Sequence, residues 1–266
     1  MTTGFVELDW YDTPKYYDIV FAEDTELEAA FLEAMSELYG EARNRRSLAV
    51  LEPACGSGRL IEAMALRGHR ITGFDASDAM LDYARERLRK HGLTARLARR
   101  QMEDFAFRGR FDLAHCLVST FKYLLDEQAA RTHLECVARA LAPGGIYVLG
   151  FHLTDYEATS KNRERWVAER DGAHVVCNIQ GWPADRRRRV ERVRSRLVVQ
   201  EDGRTSKSET NWLFRTYDAA QVRRLLRSVP ALEHVATYDF TYTLDEPREL
   251  DDDQFDVVLV LRKRGA

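Results

Sequence analysis

The sequence predicts an α/β fold, a mostly parallel sheet with helices on both faces, interrupted by an antiparallel β-rich insertion. Three observations predict it. Strand-like and helix-like segments alternate from residue 47 to residue 152. A glycine turn joins the first strand of that series to its helix, and near Asp155 the alternation gives way to successive strand patterns. With 266 residues, 45% of them hydrophobic and 31% charged, the chain is large enough for such a core.

The elements follow in order. "TELEAAFLEAMSELYGEAR", residues 25–43, sets Leu27, Phe31, Ala34, Met35 and Leu38 at helical spacing. "SLAVLEPA" (47–54) is a short apolar run ended by a turn, as in a strand covered on both faces. Beyond the glycines, Leu60, Ile61, Met64, Ala65 and Leu66 keep a helical period up to Gly68. "HRITGFD" is a second strand, and Ser77 then caps a helix carrying Met80, Leu81, Ala84 and Leu88, stopped by Gly92. "TARLARRQ" and "FDLAHCLVS" are the third and fourth strands. A helix from Asp126 to Leu141 stops at "APGG", and "IYVLGFH" is the fifth strand.

From Asp155, "GAHVVCNIQGW", "RRRRVERVRSRLVVQED" and "SKSETNWLFRTY" form antiparallel strands. "DAAQVRRLLRSV" is helical again. "LEHVATYDFTYTL" and "FDVVLVLRKR" are two last strands around the polar "DEPRELDDDQ". The chain therefore divides into a leader and ligand-binding core (1–154), a β-rich insertion (155–216) and a closing helix and strand pair (217–266).

Forty basic and 43 acidic residues leave a net charge of −3, which argues against a general nucleic-acid coat. In "RRRRVERVRSR" the strand period puts Arg192, Arg194 and Arg196 on one face and Val193, Leu197 and Val199 on the other. That is a half-solvated strand, with an anionic substrate or RNA as the rival reading. No apolar run reaches membrane-spanning length, and the opening "MTTGFVELDWYD" lacks the marks of a secretory leader. Cys55, Cys116, Cys136 and Cys177 lie far apart with no CxxC pair, so they read as reduced thiols in a cytoplasmic protein without a metal site.

The chemistry centres on "LEPACGSGRL". Gly56 and Gly58 lie between a strand and a helix, where a ligand can approach the backbone. A dinucleotide fold would want Gly or Ala at position 61, where Ile61 stands, and a phosphate-binding P-loop lacks its Gly-Lys-Ser/Thr. Glu52 before the turn and Asp75 at the end of the second strand point to a nucleoside ligand without phosphates.

These segments resemble the motifs of class I S-adenosylmethionine-dependent methyltransferases. "LEPACGSGRL" looks like their first motif, "GFDASDAMLDYA" their second, "MEDFAFRGRFDLAHCLVSTFKYL" their third and fourth, and "LAPGGIYVLGF" the turn into strand five. The resemblance implies a Rossmann-like fold with a seven-stranded, mostly parallel sheet and a β-rich substrate lid after strand five. It also implies S-adenosyl-L-methionine as cofactor, leaving S-adenosyl-L-homocysteine as product.

On the matching positions, Asp75 would accept from both ribose hydroxyls, and the backbone at Gly56 and Gly58 would pass the methionine moiety. Gln101 would stand beside the adenine amino group, where the family often has Asp, with Met102 as apolar wall and Glu103 as its substitute. Glu52, Ala54, Arg59, Ala76, Met80 and Leu117 are expected as further cofactor contacts. The leader "WYDTPKYYDIVF" resembles that of small-molecule members, and Tyr17 is expected to cover the cofactor, with Tyr11 and Tyr16 behind it.

The expected reaction is methyl transfer to a nitrogen or oxygen of a small-molecule acceptor, with His152 and Tyr123 at the sheet's C-terminal edge as catalytic candidates. Rival readings are an RNA or protein methyltransferase and a noncatalytic S-adenosylmethionine-binding subunit. "STFKY" stands where base-methylating enzymes often carry Asn/Asp-Pro-Pro-Tyr. A nicotinamide dehydrogenase is more distant, and a homodimer is compatible with the reading.

Overall fold

A computed structural model describes residues 4–42 and 45–265. A short strand β1 (Val6–Glu7) precedes helices α1 (Pro14–Phe21) and α2 (Thr25–Tyr39). The alternating series is β2 (Ala49–Pro53), α3 (Arg59–Leu66), β3 (Arg70–Asp75), α4 (Asp78–Lys90), β4 (Arg96–Arg99), β5 (Phe111–Cys116), α5 (Glu127–Ala140) and β6 (Leu141–His152). Four long strands follow, β7 (Asn162–Arg170), β8 (Ala173–Gly181), β9 (Val190–Glu201) and β10 (Arg204–Arg215). The chain closes with α6 (Ala219–Arg227), β11 (Leu232–Tyr238) and β12 (Asp256–Lys263).

The main sheet has seven strands in the order β11-β12-β6-β5-β2-β3-β4. β2 to β6 run parallel, and β12 lies antiparallel between β6 and β11. β2 pairs with β3 on one side and β5 on the other, so the direction of winding reverses there and a crevice opens beyond the strand ends. Apolar side chains fill both faces. Leu51, Phe74, Phe121 and Tyr147 lead one cluster, and Leu32, Met35, Ile61 and Met64 the other. Helix starts are tied by side chains: the Met80 N–H donates to Ser77 Oγ (3.2 Å) and the Ala129 N–H to Asp126 Oδ1 (2.7 Å).

The second sheet has five strands in the order β1-β10-β9-β8-β7. Its inner face packs on the leader: Trp10, Ile19 and Val20 share a cluster with Val175, Cys177, Leu197 and Val199. On β9, Val193, Leu197 and Val199 are buried while Arg192 is exposed and stacks over the Trp182 ring at 4.0 Å. The two-faced strand expected from the arginine run is therefore present.

Four features differ from the sequence reading. β7 joins the insertion as its outermost strand. The leader forms a helix, α1, and adds β1 in parallel to β10. The strand expected over 232–244 stops at Tyr238, because the Tyr242 N–H donates to the Asp239 carbonyl and turns the chain. The expected helix over 25–43 ends at Tyr39, and Arg43 lies outside the described residues.

One carboxylate ties these parts together. Asp18 of α1 is fully buried and accepts from Ser57 Oγ (2.6 Å) in the glycine turn, from Arg87 of α4 and from Arg170 of β7. A single side chain thus links leader, turn, core helix and second sheet.

Candidate functional site

The turn after β2 is a left-handed stretch, with Ala54 at φ 53°, Gly56 at 52° and Gly58 at 74°. The two glycines have different reasons. A Cβ on Gly56 would meet nothing within 4 Å, so the space beside it is open. A Cβ on Gly58 would sit 2.7 Å from the Ala84 side chain, so Gly58 allows α3 to pack on α4 and gives no wall to a ligand. The bulk of Ile61 is accommodated from the opposite side. A Cβ at Gly73 of β3 would lie 2.3 Å from Ile61 Cδ1, so the close helix–strand contact uses a glycine on the strand.

Asp75 closes β3 beside this turn. The Gly56 N–H donates to its Oδ2 and the Ser77 N–H to its Oδ1, each at 2.8 Å. Burial raises the carboxyl's pKa, and the backbone N–H groups of Ser77, Gly56 and Ala76 oppose that. Each carboxylate oxygen keeps a free lone pair for a hydroxyl donor.

A cleft of about 810 Å³ opens here. Tyr17, Ala54, Gly56, Asp75, Ala76, Gln101, Met102 and Glu103 all line it. The remaining expected contacts lie elsewhere. Met80 is fully buried in the core face of α4, and Leu117 is buried against the main sheet. Glu52 is buried off the cleft wall, where burial pushes its carboxyl up to about 8. Its Oε2 has no partner, and neither has either ring nitrogen of His115, 3.9 Å away at the nearest. Burial holds His115 down to about 3, so the two are neutral together near pH 7 and form no ion pair. Arg59 points into a second cavity, bonded to Thr25 Oγ1 (3.1 Å) and to Glu28.

That second cavity, about 310 Å³, lies between the second sheet and the end of the main sheet. Trp10, Trp166, Trp212, Phe214 and Phe240 supply aromatic walls, and His152 lies on its lining. Lys122 and Glu191 bridge core to second sheet there, with Nζ 2.6 Å from Oε1. Tyr11, Tyr17, Thr120 and Tyr123 line both cavities and form the partition between them.

Within the partition the Tyr11 hydroxyl donates to the Tyr123 oxygen at 2.9 Å, which leaves the Tyr123 O–H free to donate. Burial holds both phenols well above their usual pKa. Tyr123 is therefore a neutral hydrogen-bond donor near pH 7 and not a base. Tyr16, expected behind Tyr17, turns outward and donates to Glu201 at 2.7 Å.

The turn leading to Tyr123 is strained. Val118 and Ser119 are consecutive non-glycine residues at φ 59° and 62°, a conformation costly for a β-branched side chain and concentrated at functional sites. Both line the second cavity. Sequence reasoning missed this turn, and it missed the aromatic walls that the second sheet brings.

Residues 50–145 match a family model described as a methyltransferase domain. The chain is 32% identical over 141 residues to a ubiquinone biosynthesis O-methyltransferase of Pseudomonas syringae pv. tomato, covering 52% of this chain and 56% of that protein. It is 30% identical over 100 residues to a dTDP-4-amino-2,3,4,6-tetradeoxy-D-glucose N,N-dimethyltransferase of Saccharopolyspora spinosa, covering 38% and 39% respectively. The chain thus spans about half or less of these relatives. Its fold superposes on the X-ray structure of a sugar N-methyltransferase from Streptoalloteichus sp. with a TM-score of 0.73. That match covers 100% of this chain and 96% of the other at 17% identity, a likeness of fold alone.

Proposed function

We infer that the chain is a class I S-adenosylmethionine-dependent methyltransferase, a premise supported by the methyltransferase-domain match over residues 50–145. It transfers a methyl group to a nitrogen or oxygen of a small-molecule acceptor. The carrying observation is the pair of cavities that meet at Tyr11, Tyr17, Thr120 and Tyr123. One has the fittings for a nucleoside, and the other is an aromatic chamber at the small end of the range for ligand pockets.

The cleft residues fit the cofactor. Asp75 has lone pairs left for two ribose hydroxyls, and the open side of Gly56 admits a ligand against the backbone. Gln101, Met102 and Glu103 offer polar and apolar walls for the adenine end, and Tyr17 covers the methionine end. S-adenosylmethionine, when bound, supplies a methyl already activated on a sulfonium.

The chain's task is then to hold the acceptor in line and keep water out. Positioning of that kind is worth on the order of 7–11 kcal/mol in favourable cases. The aromatic walls exclude water, and the free O–H of Tyr123 orients the acceptor at the partition. His152 takes up the acceptor's proton, a role worth about 10²–10⁴-fold.

Residues 155–216 serve as the lid, and the acceptor is free in the cytoplasm and not part of a nucleic acid. Four buried, unpaired cysteines support that compartment, and among the described residues no helix is long and apolar enough to cross a membrane. The test is transfer of labelled methyl from S-adenosylmethionine to dTDP-4-amino-2,3,4,6-tetradeoxy-D-glucose, a panel of amines and phenols, and bulk RNA. Label confined to RNA would overturn the small-molecule reading.

A further inference from the structure

The site contains a side chain that the motifs never pointed to. His152 ends β6, and Asp256 begins β12 directly opposite it in the antiparallel register. Side chains of such a pair lie on one face of the sheet, within reach of each other. Here the His152 Nδ1–H donates to Asp256 Oδ1 at 2.5 Å. The ring is held on its other sides as well. Phe255 stacks on it at 4.8 Å and 21°, Phe240 meets it edge-on at 5.2 Å and 80°, and the His152 backbone N–H donates to Ser119 Oγ at 3.1 Å.

We propose that Asp256 is a positioning residue. It fixes His152 in the tautomer with the proton on Nδ1 and leaves the Nε2 lone pair to the acceptor chamber. Three observations carry this. Nδ1 is occupied by the carboxylate, the ring plane is clamped by Phe255 and Phe240, and the imidazole lies on the lining of the chamber. A histidine tied down in this way has one nitrogen left for proton chemistry. The proton leaves the acceptor's N–H or O–H bond and joins Nε2, and the bonding electron pair stays on the acceptor atom. The resulting imidazolium is balanced by the Asp256 carboxylate, so no net charge is left in the chamber wall.

The other charged groups around the chamber do not compete for this role. Arg59 is paired with Glu28 and Lys122 with Glu191. Glu23 and Asp24 stand at the turn between α1 and α2, and Glu164 comes from β7 across the chamber. Among the described residues, Asp256 is the carboxylate bonded to the His152 ring.

The proposal rests on the methyl-transfer reading for its function but not for its geometry, so the test has two arms. In the first, side-chain ¹⁵N spectra of the full chain are recorded without ligand, with the His152 signals assigned through His152→Gln. The wild type is expected to show the Nδ1–H tautomer. In Asp256→Ala, which removes the acceptor on Nδ1, the Nε2–H tautomer is expected to gain population, since nothing then holds the proton on Nδ1. An Nε2–H tautomer in the wild type, or a tautomer balance unchanged in Asp256→Ala, overturns the proposal.

In the second arm, turnover of dTDP-4-amino-2,3,4,6-tetradeoxy-D-glucose is followed from pH 6 to pH 9. Asp256→Asn should lower kcat roughly tenfold near pH 7 with KM for S-adenosylmethionine unchanged, and Asp256→Glu should restore part of it. An equal loss at every pH with no rescue would mark Asp256 as merely structural and also overturn the proposal. A wild type that binds S-adenosylmethionine but methylates no probe counts against the functional reading alone, and the spectra still decide the tautomer.

Discussion

The two cavities proposed for cofactor and acceptor are built by different means. The cofactor cleft comes from a continuous stretch of chain and mostly from backbone: a left-handed turn, two N–H groups on Asp75, and a glycine with open space beside it. The chamber proposed for the acceptor is assembled from side chains far apart in sequence. Tyr11 meets Tyr123 and Lys122 meets Glu191 there, while Asp18 joins the glycine turn to the second sheet through Ser57 and Arg170. Backbone construction holds a fixed ligand with few residue types, whereas side-chain construction can vary with the acceptor. The comparison predicts that damage to the cleft appears in cofactor affinity and damage to the chamber appears in turnover.

The largest effect tests the joint between the two regions. Asp18→Ala would leave Arg87 and Arg170 without their buried partner, and breaking such a pair costs about 3–5 kcal/mol. Urea unfolding should report that loss. If stability is unchanged, the two regions are not coupled through Asp18.

Next is the cleft alone. Asp75→Ala should weaken S-adenosylmethionine by about 1.5–3 kcal/mol, the usual worth of hydrogen bonds to a charged group. Calorimetry on the folded variant checks it, and unchanged affinity would remove Asp75 from the ribose.

Third is the partition, through the hydroxyl proposed to orient the acceptor. Tyr123→Phe removes one hydroxyl donor, worth roughly 1 kcal/mol, so turnover should fall several-fold at constant cofactor affinity. A loss of cofactor affinity instead would erase the division between the two sides.

A fourth expectation concerns pH. Glu52 titrates at about 8 in the fold because burial disfavours its charged form, against 4.5 as the ordinary value. The folded state thus binds more protons than the unfolded state between those values, and stability falls as pH rises through that window. His115, held down to about 3 by burial, contributes the opposite slope between 3 and 6.5. Glu52→Gln should therefore flatten the decline in Tm between pH 6.5 and pH 8, where His115 no longer contributes. The smallest effect belongs to the outer face of β9, where Arg192→Ala should change stability by less than about 0.5 kcal/mol and turnover not at all. A large loss of turnover there would give that face a role in acceptor binding.

The same contrast decides what the sequence made legible. Residues 47 to 152 carry their signals locally, in apolar runs, the Ser77 cap and the glycine turn, and their elements appear where the patterns put them. β7 escaped notice because "NRERWVAER" is a little-buried outer strand whose inward Trp166 and Ala168 alternate with charged or exposed residues. Helix α1 escaped because its apolar face is completed only by the second sheet. Gly58 and Met80 were assigned to the ligand on motif position, but Gly58 makes room for Ala84 of α4 and the Met80 side chain is buried in the core, both settled by packing around α4. The His152–Asp256 pair needed the β6–β12 register, which no local spacing encodes.

The leader's place inside the second sheet sets a rule for recombination between relatives. β1 hydrogen-bonds to β10, and Trp10, Ile19 and Val20 fill the inner face of β8 and β9. A chimera that takes residues 162–215 from another enzyme and keeps this leader would join two surfaces never shaped for each other. The transplantable unit is discontinuous, residues 5–21 together with 162–215, and a crossover that separates them should yield insoluble protein even when every residue of the cofactor cleft is intact.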